Sequence, residues 1–174
     1  IVDVSRQIAN LEELPTVLQS IITLASELAT ADAAAIMLVN HNKAQLTVKS
    51  FTAKWPRDGH PVICDTINSS IVTRAIDQGQ PLRFPQDRLP DERVWYCPLV
   101  DRPVRRASVV PLMLDSTAIG ALVALRHDRE NFTEDETSGL THLADQAVIA
   151  LEHASMTSNI QSIAIVKERY RIAR

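Results

Sequence analysis

Apolar residues at Ile1, Val4, Ile8 and Leu11 recur at intervals of three and four, which puts them on one face of a short lead-in helix. Asn10 and Glu13 match a capping pattern and Pro15 marks a restart. Leu14, Val17, Leu18, Ile21, Ile22, Ala25 and Leu28 then form one broad stripe, so a second helix is predicted over about 13–29. The pattern next changes from helical to extended. Residues 33–40 are almost continuously apolar and residues 45–51 alternate, with His41-Asn42 as the turn between them, a hairpin whose first strand is covered on both faces. Residues 52–66 carry Pro56, Gly59 and Pro61 without a period and read as a loop.

A short helix follows through Ile71, Val72, Ala75 and Ile76, capped by Asn68 or Ser69 and ended by Gly79. Residues 81–84 read as a short strand. Residues 85–103, rich in proline and charge, read as a long loop of the kind that carries function, and any ligand is expected there. The runs 106–114 and 118–126 form the clearest hairpin, turning at Asp115-Ser116-Thr117, with Gly120 marking a bulge or a close backbone approach. Thr133 is the expected N-cap of the last helix, with Glu136 at the capping-box position and Glu134, Asp135 and Glu136 meeting the positive helix end. That helix continues through Leu140, Leu143, Ala144, Ala147, Leu151 and Ala154. Beyond it, Met156, Ile160, Ile163, Val166 and Tyr170 keep the three-four spacing on a surface suited to a second copy of the same helix.

Composition narrows what such a chain does. At 174 residues and 45% hydrophobic, it accommodates one domain with appendages. Its net charge of −3, from 18 basic and 21 acidic residues interspersed, offers no overall footprint for nucleic acid, and no contact with a membrane is expected of it. Two cysteines are too few for a disulfide framework or an all-cysteine metal site, no apolar run reaches transmembrane length, and a cytoplasmic setting follows as the expectation. The first residue is Ile1 with no targeting segment after it, so the chain reads as an excised piece of something longer.

Three stretches, "LPTVLQSIITLASELATADAAAIMLVN", "SSIVTRAIDQGQPLRF" and "SVVPLMLDSTAIGALVALRHDRENFTEDETSGLTHLADQAVIALEHA", resemble a GAF domain over about residues 11–154. The resemblance implies an α+β fold: an antiparallel sheet, the first and last helices packed on one face, and a ligand pocket on the other beneath the middle loops. It divides the chain into a lead-in signalling helix (1–10), the GAF domain (11–154) and a C-terminal signalling or coiled-coil helix (155–174). GAF domains are small-molecule or cofactor sensors and dimerisation modules. The closing "ERYRIAR" looks like the first residues of the phosphoacceptor helix in histidine kinases related to nitrate and nitrite sensors. The expected partners are therefore a second copy through the terminal helices, a downstream kinase domain and then a response regulator.

Candidate chemistry is sparse. His60, His127, His142 and His153 share no metal-ligand spacing on one predicted element, so surface or core roles are expected and no metal site is assigned, with His60, in a loop, the one to watch as a haem or metal ligand. Bilin-binding GAF domains attach the chromophore through a cysteine usually followed by histidine, whereas Cys64 precedes Asp65 and Cys97 precedes Pro98, so covalent bilin is not expected and the cofactor is left unassigned. "RENFTEDE" is similar to the motif of cyclic-nucleotide-binding GAF domains but departs from it at Asp128. No phosphate loop or catalytic triad signature is present, and free methionine-sulfoxide reductases of this fold need more cysteines, so no turnover is expected of this segment. The candidate ligand-binding residues are Trp55, Phe84, Tyr96 and Cys97 as pocket walls, Thr73 on the short helix, and Arg106 and Ser108 for an anionic group.

Overall fold

The structure, a computed structural model, describes residues 2–40, 45–56, 58, 63–65, 70–90, 97, 99–127 and 130–158. The first apolar stripe forms one helix, α1 (Val2–Leu28), which runs through Pro15 without a break. This corrects the expected lead-in helix and restart. Proline removes one backbone donor, but Pro15 lies on an exposed face, where water can serve the carbonyl left over. The alternating and all-apolar runs give β1 (Ala33–Asn40), β2 (Gln45–Ala53), β5 (Arg106–Leu114) and β6 (Thr117–Arg126). Two short edge strands, β3 (Ile63–Asp65) and β4 (Leu82–Phe84), complete one antiparallel sheet of order β3-β2-β1-β6-β5-β4. β3 falls inside the stretch read as a loop. Three residues are too few to show a period.

The sheet is covered on both faces, as the apolar run of β1 required. Ala34 and Ile36 of β1, with Leu122 and Ala124 of β6 and Val110 and Leu112 of β5, meet α1 and the last helix, α3 (Glu134–Ser158). Ala33, Ala35 and Met37 point the other way, with Ala121, Val123, Ala107 and Val109, toward α2 (Ser70–Gln78) and the loop that follows β4. Fully burying one such Leu or Ile is worth about 1.5–3 kcal/mol, so the two clusters clamp the sheet from both sides.

Local signals set the ends of these elements. Gly79, at φ 65°, ends α2 by donating its N–H to Ala75 O at 2.9 Å. The β5–β6 hairpin turns on Asp115 and Ser116, both at positive φ, one residue tighter than expected. Gly120 satisfies both readings of its position: β5 and β6 slip register between Leu112 and Met113, and a Cβ on Gly120 would run into the Met37 carbonyl oxygen of β1. Thr133 Oγ1 accepts the Glu136 N–H at 3.1 Å, and Glu136 Oε1 accepts the Thr133 N–H at 2.9 Å, which closes the expected capping box. Thr133→Ala is expected to lower stability by about 1 kcal/mol, read as a shifted urea midpoint at unchanged slope.

Candidate functional site

On the sheet face opposite α1 and α3, α2 lays Ile71, Val72 and Ala75 over the strands through its three-four spacing, with Thr73 half-buried beside them. Part of that face is covered by the segment around residues 97–104. Cys97, Leu99, Val100 and Val104 are all buried in the same cluster as Phe84, Leu46 and Met37. One opening on this side is a cavity of about 10 Å³, bordered by Asp32, Trp55, Val100, Arg102, Pro103 and His127. That is room for about one water molecule.

Trp55, just past β2, organises this corner. The Arg102 guanidinium lies 4.5 Å from the Trp55 ring centroid, and the His127 ring meets Trp55 edge-on at 5.9 Å. The Trp55 carbonyl accepts the Asp101 N–H at 3.1 Å, and Pro56 bridges to Val100. His127 Nδ1 sits 2.7 Å from the Pro103 carbonyl, which only accepts, so Nδ1 carries the proton and donates. Buried Asp32 accepts the His127 backbone N–H at 3.0 Å and pairs with Lys54 at 3.3 Å.

Of the residues expected to bind a ligand, Trp55, Thr73, Phe84 and Cys97 lie on this side of the sheet. Ser108 does not. Strand alternation turns it, and Arg106 with it, toward α1 and α3, where Ser108 Oγ and Thr137 Oγ1 are 2.8 Å apart in a buried pair. Arg106 is half-buried there and donates from Nη1 to the Arg105 carbonyl at 2.8 Å. Tyr96, His60, Ile160, Ile163, Val166 and Tyr170, and the side chains of Cys64 and Met156, lie outside the described residues. Among the described residues, no three His, Cys, Asp or Glu side chains are grouped to hold a metal, and no helix is long and apolar enough to cross a membrane.

Arg126, at the end of β6, is a group on the helical face whose role sequence patterning missed. It is buried and donates to Thr30 O at 3.3 Å, Glu130 O at 2.9 Å, Asn131 O at 3.3 Å, Ala29 O and the Glu136 carboxylate. Its guanidinium carbon lies 4.0 Å from the Phe132 ring centroid. One side chain thus joins the end of α1 to the cap of α3. Arg83 reaches the same segment from β4, donating to Phe132 O at 3.0 Å. Burial pushes the Glu136 carboxyl up, but hydrogen bonds from the Thr133 amide, Arg126 and the Thr133 hydroxyl outweigh it and hold the group below the usual carboxylate range. A depressed carboxyl stabilises the fold above its unfolded value, about 4.3, and loses that contribution as pH falls through the lower folded value. In thermal melts, wild type is therefore expected to exceed Glu136→Gln at neutral pH, and the gap to close as pH drops below about 4.

Comparison with known proteins agrees with this architecture. A family model described as GAF domain matches residues 12–152. The GAF domain from an Acinetobacter phosphoenolpyruvate-protein phosphotransferase superposes with a TM-score of 0.67 at 15% identity, covering 90% of this chain and 95% of that one. The second GAF domain of DevS from Mycobacterium smegmatis gives 0.64 at 21% identity, covering 85% and 99%. A type II free methionine-R-sulfoxide reductase from Thermoplasma acidophilum gives 0.65 at 14% identity, covering 83% and 96%. At these identities the likeness is one of fold. The family-model match spans most of the chain, from α1 to the end of the α3 core, and by it the chain belongs to the GAF domain family.

Proposed function

We propose that this chain is the cytoplasmic sensory GAF domain of a two-component sensor histidine kinase, and that it relays a small-ligand signal through α1 and α3 rather than performing turnover. The observation that supports a relay is the Arg126 junction, which ties the last turn of α1 and the first turn of α3 to one strand end, so a shift of that strand reaches both helices. Output would pass to a kinase domain and then a response regulator, with a second copy joined through Met156, Ile160, Ile163, Val166 and Tyr170. The gene product read past Arg174 is expected to carry a phosphoacceptor histidine within the next few residues, in a sequence like Glu-Leu-His-Asp. Its absence there would remove the kinase assignment, and sedimentation showing only monomer at high concentration would remove the paired helices.

A second reading has its own support. Leu99, Val100 and Val104 lie buried on the face that would hold a ligand, which also suits a dimerising spacer that binds nothing. Native mass spectrometry of the purified protein separates the two, since a retained small molecule excludes a purely structural role.

A further inference from the structure

Residues 99–104 cross the face opposite α1 and α3 without forming a strand of their own, and two kinds of contact hold them. Leu99, Val100 and Val104 are buried against a floor that includes Ala33, Val123 and Leu125. Much of the polar attachment gathers at one corner, where the Asp101 N–H meets Trp55 O, the Val100–Pro56 bridge forms, Arg102 covers Trp55, and His127 Nδ1–H donates to Pro103 O. Both anchoring side chains, Trp55 and His127, come from just past the ends of β2 and β6 and are themselves in edge-on contact. Loosening that corner cuts no ladder between named strands.

We propose that residues 99–104 are a plug that occupies this domain's own ligand position, opens as a unit ahead of global unfolding, and is latched by Trp55, Arg102 and His127. Its release would uncover an apolar floor with small side chains, suited to an uncharged apolar molecule. The proposal deepens the ligand-responsive reading above and rests on it for the ligand alone. Opening is measured on the protein without ligand, so failure of the latch and failure of the sensory reading are distinguishable.

Cys97, 1% exposed beside the plug, is the reporter. In a Cys64→Ser background it is the single thiol, and its reaction with dithiodipyridine is followed across urea concentrations below the unfolding midpoint. Local opening predicts a labelling rate that hardly depends on urea, because little surface is exposed, whereas global opening imposes the full unfolding slope. Arg102→Gln, at an exposed position, is expected to raise the rate about two- to fivefold, the worth of an exposed cation–π contact. Trp55→Leu should raise it further, and should that variant fail to fold, Arg102→Gln carries the test. A rate in wild type and Arg102→Gln that climbs with urea at the global slope, or no increase in Arg102→Gln, overturns the proposal.

Discussion

Arg126→Ala is expected to cost about 3 kcal/mol, the lower end of the penalty for breaking a buried ion pair, because Glu136 is only partly buried. Arg126 is 5% exposed, and its loss leaves the buried Ala29 carbonyl, the partly buried bonds to Thr30, Glu130 and Asn131 and the Glu136 carboxylate without their donor. Against a typical domain stability of about 5–15 kcal/mol, a loss of this size brings the protein toward its unfolding threshold at room temperature. Arg126→Lys keeps the charge but not the planar fork, so it is expected to recover only part of the loss. Urea unfolding of the three proteins by circular dichroism gives the comparison. An alanine variant within about 1 kcal/mol of wild type would show that water replaces the arginine at little cost.

The second large effect is expected at Gly120→Ala. β1 and β6 are neighbours at the centre of the sheet, and here their backbones approach so closely that an added methyl meets the Met37 carbonyl and lies 3.0 Å from Leu38 Cα. A flexible side chain could turn aside, but a strand carbonyl held in its ladder cannot. The cost is expected at the upper end of the overpacking range, about 3 kcal/mol, with faster hydrogen exchange at the β1 and β6 amides flanking the site. Gly139 offers a contrast, since its added Cβ would meet Leu28 Cδ2 at 2.8 Å, and Leu28 is half-exposed with room to rotate. Gly139→Ala should therefore be mild, offset in part by better helix propensity, and equal effects at both glycines would contradict this account of Gly120.

The features legible in the sequence are those written locally. Thr133 and Glu136 sit three residues apart and cap each other, and the β5 and β6 runs pair across the short turn that separates them. Gly120, as a lone glycine in a strand, announced its close approach. Facing was harder to read. Ser108 is one residue from Ala107 and Val109, which do reach the α2 side, and along a strand buried on both faces nothing marks which alternate set turns which way. The continuation of α1 through Pro15 depends on that residue facing water, which a sequence pattern does not record. The corner around Trp55 was half visible: an aromatic residue in a loop drew attention, but His127 and Arg102 reach it from distant parts of the chain. Arg126 read as the polar end of a strand, because its partners come from the ends of two helices that only the fold brings together.

The meeting of α1 and α3 at Arg126 also sets a lever ratio. α1 runs toward this point and α3 runs away from it for 25 residues, which at about 1.5 Å per residue makes an arm of about 38 Å. A tilt of α3 by about 5° about that fulcrum would carry the far end of the arm about 3 Å, more than half the rise of one helical turn.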